Sequence, residues 1–281
     1  MSPAAATEFY TGEEQIRIFY RSATVEGERA RLVIAHGLGE HSGRYERLME
    51  RLNRSGISVW APDHRGFGRS GGKRGHVRGF DQYLKDLDRM VEIARRGLPE
   101  QKKLFLLGHS MGGLMALRYG QEKGDRIDGL IVSSPALAPA RPIPAARAIP
   151  AKILSRLHPS LTINNEIDSR LLSHDTEVVQ AYDNDPLVHR RVTPRWFTAF
   201  LGAMEEAKKG APRMQTPLLL QVAGEDSLVA PEASRRFFES LSLRDKTLHV
   251  YEGLYHEIYN EAEEDRERVL TDLEQWISDH F

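Results

Sequence analysis

Leu104-Phe105-Leu106-Leu107-Gly108-His109-Ser110-Met111-Gly112-Gly113-Leu114-Met115-Ala116-Leu117-Arg118-Tyr119 decides the reading of this 281-residue chain. The apolar run Leu104–Leu107 predicts a buried strand, and the residues from Leu114 onward predict a helix. Between them, Gly108 to Gly112 has the form G-x-S-x-G. A serine on a sharp turn from strand to helix is a nucleophile elbow, with its hydroxyl standing clear of the strand end. Such a turn strains the serine backbone. Glycines at 108, 112 and 113 carry no Cβ, so strand and helix can approach closely around Ser110. The five-residue pattern alone is a common coincidence; the flanking strand and helix give it meaning.

Outward from the elbow, strands and helices alternate. Residues 8–35 read as strands: Gln15–Tyr20 alternates in part, Arg31–Ala35 is apolar, and Glu26-Gly27-Glu28 is a polar turn between them. An amphipathic helix is predicted near residues 43–54, with Tyr45, Leu48, Met49 and Leu52 on one face. A strand at Ile57–Ala61, a glycine-rich loop from Asp63 to Gly75 and a helix from Phe80 to Ala94 follow. Beyond the elbow helix lies a strand at Gly129–Ser133. The alternation predicts an α/β fold with a mostly parallel central sheet flanked by helices. It breaks after Ser134. Prolines at 135, 139, 142, 144 and 150 stop any regular continuation, and residues 151–207 read as helical without a strand. The rhythm resumes with a strand at Pro217–Val222, a helix at Pro231–Leu241, a strand at Thr247–Tyr251 and a helix near Asp265–Asp279. The expected organisation is a core of residues 1–135 and 208–281, interrupted by a helical cap, residues 136–207.

Composition narrows the chemistry. With 39 basic and 40 acidic residues the net charge is −1, so no field favours nucleic acid. The chain has no cysteine, which excludes disulfides, thiol catalysis and thiolate metal sites. The first eight residues have neither a basic nor an apolar region of a signal peptide. No run of about 18 apolar residues predicts a membrane span. The expectation is a cytoplasmic protein.

A serine hydroxyl needs a base to take its proton and a third group to orient that base. Where the serine sits on such an elbow, the chain order is serine, acid, histidine. His256 closes the loop after the Thr247–Tyr251 strand and is the predicted base. His249 lies inside that strand, His158, His174 and His189 fall in the cap, and His280 sits at the end of the last helix. Asp226, on the loop after Pro217–Val222, is the predicted acid. Glu225 is its immediate rival; Asp245, Asp183 and Asp185 lack a suitable strand end. For the oxyanion, the backbone N–H of Met111 and that of Leu38, in His36-Gly37-Leu38-Gly39-Glu40, are the predicted donors.

At this point the residues resemble a known family. His36-Gly37-Leu38-Gly39-Glu40-His41-Ser42-Gly43-Arg44-Tyr45, Asp63-His64-Arg65-Gly66-Phe67-Gly68-Arg69-Ser70 and Gly108–Gly113 are similar to the monoacylglycerol lipases of the α/β-hydrolase superfamily, the bacterial monoglyceride lipases above all. The likeness continues through Tyr182-Asp183-Asn184-Asp185-Pro186-Leu187-Val188 and Tyr251–Glu257. It implies the same triad, Ser110, Asp226 and His256, and the same oxyanion donors. It also implies that the cap receives an acyl chain, and that Glu40, Arg44 and Tyr182 lie near the glycerol hydroxyls. The resemblance predicts hydrolysis of monoacylglycerols with no metal and no organic cofactor. A lysophospholipase or broad carboxylesterase would use the same triad. A non-catalytic lipid or small-molecule receptor on this fold would commonly lack part of it. The aliphatic segments 144–149 and 153–157 fit a greasy cap, and the same face could meet a membrane surface.

Overall fold

Eight strands form one sheet in the computed structural model, which describes residues 5–165 and 167–281. In chain order the strands are β1 (Ala6–Thr11), β2 (Arg17–Ala23), β3 (Ala30–Ala35), β4 (Ile57–Pro62), β5 (Lys103–His109), β6 (Gly129–Ser133), β7 (Ile163–Asn164), β8 (Arg191–Val192), β9 (Leu218–Ala223) and β10 (Lys246–Tyr251). The main sheet runs β1-β2-β4-β3-β5-β6-β9-β10, and β7 pairs with β8 outside it. β2 is antiparallel to both β1 and β4. From β4 to β10 every neighbouring pair is parallel. The helices are α1 (Glu46–Arg54), α2 (Asp81–Arg95), α3 (Met111–Lys123), α4 (Ala145–Leu157), α5 (Thr176–Asn184), α6 (Pro194–Lys209), α7 (Pro231–Ser240) and α8 (Glu263–Asp279). This is the α/β-hydrolase architecture: a mostly parallel sheet with helices on both faces.

The apolar run that opens the elbow lies at the centre. Leu106 of β5 is paired with Val33 on one side and Leu130 on the other. Successive strand residues point to opposite faces. Accordingly Leu104 and Leu106 join a core with Met90 and Val91 of α2 and Leu114 of α3. Phe105 and Leu107 join a second core with Leu48, Met49 and Leu52 of α1 and Leu270 and Leu273 of α8. A strand covered on both faces reads as an unbroken apolar run, which is why no alternation marks β5.

Residues 136–207, expected as a helical insertion, differ from their expected form in two ways. First, α4 begins at Ala145 and runs through Pro150, whereas the helical stretch was expected from residue 151. One proline removes one backbone donor, and here its ring is exposed. Second, β7 and β8 are strands of two residues each, too short to leave a periodic signal. The last helix of this segment, α6, packs onto α3. Its Trp196, Ala203, Met204 and Ala207 are buried, Gln121 Nε2 donates to the Ala207 carbonyl at 2.7 Å, and Arg118 pairs with Glu206. Near the elbow, residues 42–45 form a 3-10 turn and α1 starts only at Glu46. Among the described residues no helix is long and apolar enough to cross a membrane.

Candidate active site

Ser110 sits between β5 and α3 with φ 53° and ψ −115°, a region that non-glycine residues rarely occupy. Its neighbours hold it there. The Ser110 N–H donates to the Ser133 carbonyl at 3.0 Å, and its own carbonyl accepts from Leu114 and Ala136, each at 3.0 Å. A Cβ on Gly112 would overlap the backbone carbonyls of Ala35 and His36, and one on Gly108 would overlap the Gly112 carbonyl. The obstacle at Gly112 is backbone of the central sheet, which cannot move aside cheaply. Gly112→Ala is therefore expected to cost on the order of 3 kcal/mol. Urea unfolding measures it; a loss below about 1 kcal/mol would contradict the close approach.

The predicted base and the predicted acid come from adjacent strand ends. β9 leads to Asp226 and β10 to the turn before His256. His256 Nδ1–H donates to Asp226 Oδ2 at 2.6 Å, and both residues are buried. Asp226 Oδ1 accepts from the Leu228 and Val229 amides at 2.8 and 3.0 Å. Burial alone would raise the Asp226 carboxyl, but the His256 charge and hydrogen bond, with the two amides, hold it below its ordinary value. For His256, burial disfavours the imidazolium, yet Asp226 outweighs it and the group is held above its ordinary value. Glu225 is exposed, and its contribution here is a backbone N–H to the Leu254 carbonyl. The other acids are engaged elsewhere: Asp245 with His280, Asp183 with Arg190, Asp185 with His41. His249 faces Asp272 and His174 faces Glu261.

No hydrogen bond joins Ser110 Oγ to His256 among the described residues. The ring of His109, one residue before the serine, lies 4.7 Å from the His256 ring. His109 is bonded through Nδ1 to Ser133 Oγ at 3.1 Å. Burial, then the charge of His256, push its pKa down to about 3. It is a neutral wall beside the base. Catalytic hydrogen bonds are often long in unliganded enzymes and tighten around substrate.

The turn after β3 abuts the elbow. A Cβ on Gly37 would stand 3.4 Å from Ser110 Cβ and 3.3 Å from His109 Cδ2. The amides of Leu38 and Met111 have no hydrogen-bond acceptor among the described residues. Leu38 and Ser110 are partly exposed while their neighbours Gly37, Gly39, His109 and Met111 are buried, so the opening to solvent lies here.

Glu40, Arg44 and Tyr182 also lie close together. Glu40 accepts from the Gly37 amide, the Tyr45 hydroxyl and Arg44. Arg44 grips Glu257 with two nitrogens and lies 4.8 Å from the centroid of the Tyr182 ring. The Tyr182 hydroxyl is buried with no partner among the described residues. Glu257 was not singled out from the sequence; its only signal was its place directly after His256. Among the described residues no cluster of acids and histidines could hold a metal ion.

Comparison with known proteins gives a consistent set of likenesses. The family model for serine aminopeptidase, S33 (Hydrolase_4) matches residues 26–263. The monoacylglycerol lipase of Mycolicibacterium smegmatis is 34% identical over 283 aligned residues, covering 100% of both chains. An uncharacterized abhydrolase domain-containing protein of Dictyostelium discoideum is 39% identical over 90% of this chain, and the chain spans only 26% of that protein. The crystal structure of Paleococcus ferrophilus monoacylglycerol lipase has a TM-score of 0.83 and 37% identity, covering 99% of this chain and 100% of its own.

Proposed function

The chain belongs to the monoacylglycerol lipase family of α/β-hydrolases, and on that premise we propose that Ser110, His256 and Asp226 hydrolyse the ester bond of a monoacylglycerol through an acyl-enzyme. The protein is a carboxylic ester hydrolase. The observation that carries the residue assignment is the His256–Asp226 hydrogen bond of 2.6 Å beside a serine held at φ 53°.

His256 Nε2 takes the Ser110 proton as Oγ attacks the ester carbonyl. The Leu38 and Met111 amides receive the oxyanion of the tetrahedral intermediate. The C–O bond to glycerol breaks, and His256 returns the proton to the leaving alkoxide. Water, deprotonated by the same imidazole, then attacks the acyl-enzyme and releases fatty acid and Ser110. Asp226 fixes the imidazole with Nδ1 protonated and supports its charged form. Because His256 is held above its ordinary value, its protonated form, unable to accept the serine proton, persists to higher pH than in a free imidazole. Activity is expected to fall as pH drops through that raised value.

Residues 136–207 are proposed as the cap over this site. Leu38 beside the elbow, and Ile163, Phe197, Phe200 and Leu201 from the insertion, are partly exposed apolar side chains at the edge of the core. They suit an acyl chain, each buried methylene contributing about 0.8 kcal/mol. Tyr182, whose hydroxyl has no partner among the described residues, is the proposed contact for a glycerol hydroxyl. Initial rates on mono-, di- and triacylglycerols and lysophosphatidylcholine of one acyl chain test the substrate class. Preference for the monoacylglycerol is expected. Equal or faster cleavage of the lysophospholipid would overturn the headgroup reading and leave the triad standing.

The cap surface supports transient membrane contact. Ile149, Ile153 and Leu157 recur every four residues on α4 and are 60%, 53% and 68% exposed. The opposite face rests on α6 through Ser155 and Thr198, 2.8 Å apart. Residues 141–161 hold the basic Arg141, Arg147, Lys152 and Arg156 and no acidic residue. An exposed apolar stripe in a segment without acidic residues suits an anionic lipid surface. Ile153→Asp is expected to weaken binding to phosphatidylglycerol vesicles by about tenfold or more, with hydrolysis of a soluble short-chain ester unchanged. Undiminished vesicle binding would contradict the contact.

A further inference from the structure

A buried chain of ionic contacts joins the two loops that the reaction depends on. Glu257, next to His256, accepts from Arg44 Nη1 at 2.5 Å and Nη2 at 2.6 Å. The same Nη1 donates to Glu40 Oε2 at 2.8 Å. Glu40 Oε1 in turn accepts from the Gly37 amide at 2.5 Å and from the Tyr45 hydroxyl at 2.8 Å. Gly37 is the residue before Leu38 and packs against Ser110 Cβ. The Arg44, Glu40 and Glu257 side chains are only 9%, 3% and 5% exposed. Buried charges are costly unless paired, so breaking one link destabilises the arrangement of the rest.

We propose that Glu257, Arg44 and Glu40 are positioning residues: a relay that fixes the His256 loop against the Gly37–Leu38 turn, so that base and oxyanion donor keep a common geometry around Ser110. The proposal rests on the hydrolytic roles assigned above to His256 and Leu38. It differs from a headgroup role for Glu40 and Arg44, because their charged atoms face each other and Glu257.

The relay also has an electrostatic consequence. Glu257 carries its charge beside the base, whereas at Glu40 burial outweighs the pull of Arg44 and raises the carboxyl above its ordinary value. The charged or titratable groups facing His256 are Asp226 from the loop after β9, Glu257 from its own loop, Glu40 from the turn after β3 and neutral His109 from the elbow. Arg44 is hydrogen-bonded to both Glu257 and Glu40. Burial opposes the imidazolium; Asp226 is the largest favourable influence, and Glu257 and then Glu40 add to it. Arg44 itself is held charged: burial works against it, but Glu257 and Glu40 outweigh that. Burial likewise opposes the Glu257 charge, and Arg44 overcomes it, holding that carboxyl at about 2.

The test is the NMR titration of the His256 ring in the full chain, beside the pH dependence of kcat and KM, for the wild type, Glu257→Gln, Glu40→Gln and Arg44→Lys. Glu257→Gln is expected to lower the His256 midpoint by about half a pH unit or more. Its kcat should fall about 10- to 100-fold with KM nearly unchanged, as for a misplaced catalytic group. Glu40→Gln should do the same with a smaller midpoint shift. Arg44→Lys keeps the charge and loses the two-pronged grip, so kcat should fall with the midpoint in place. An unmoved midpoint with unchanged kcat in Glu257→Gln would overturn the relay. So would losses confined to KM in all three variants, which would make these residues headgroup ligands. The ring titration needs no turnover. A midpoint shift in a chain lacking Ser110-dependent hydrolysis would therefore support the relay and reject the hydrolytic reading.

Discussion

Ser110→Ala is expected to lower kcat for ester hydrolysis by about a millionfold and to leave the fold intact. The expectation follows from what remains at the site. Without Oγ no acyl-enzyme forms, and His256 has no hydroxyl to deprotonate. The oxyanion donors and the acyl site still bind substrate, so KM should change far less than kcat. The substitution adds no atoms, and the strained backbone at position 110 is set by Ser133, Leu114 and Ala136 rather than by the serine side chain. The unfolding midpoint should consequently stay near that of the wild type. Single-turnover rates with a chromogenic ester measure the loss. A reduction smaller than about a hundredfold would mean that another nucleophile carries the reaction, since residual triad-free catalysis lies far below that level.

Asp226→Asn is expected to lower kcat by about ten-thousandfold. The carboxylate can only accept, so it fixes the proton on His256 Nδ1 and leaves Nε2 free to take the serine proton. An asparagine amide can instead donate to Nδ1, which stabilises the wrong tautomer. It also removes the charge that most favours the imidazolium. The acid limb of kcat/KM should then move to lower pH as activity falls. Glu225→Gln is the control, because Glu225 is exposed and does not reach the imidazole. If Glu225→Gln cost more than Asp226→Asn, the acid assignment would be wrong.

Residues near one another in sequence were the easiest to read. The elbow is local: strand, glycines, serine and helix occupy sixteen consecutive positions, and steric demands alone link them. The parallel sheet was legible because its buried strands are unbroken apolar runs between helical periods. His256 and Asp226 were selected by chain order and by their place after strands, without any contact being visible, and the structure brings the two side chains together. The relay was hidden for the opposite reason. Arg44 and Glu257 are 213 residues apart, and a charged residue on a loop ordinarily means solvent. Only packing shows that both are buried and paired. The segment proposed as a cap, residues 136–207, was legible as a break in the strand–helix rhythm but not in detail. Its two-residue strands have no period, Pro150 sits inside a helix, and α6 packs against both α3 and α4. A sequence pattern marks a face as apolar without naming what covers it.

The most direct test of the central claim is covalent labelling with a fluorophosphonate, read by intact mass and peptide mapping. Stoichiometric addition of one phosphonyl group at Ser110, lost in Ser110→Ala and greatly slowed in Asp226→Asn, is the predicted result. No adduct on the folded wild-type chain would contradict the assignment and favour a non-catalytic lipid receptor on this fold; an adduct on another residue would contradict it by placing the nucleophile elsewhere.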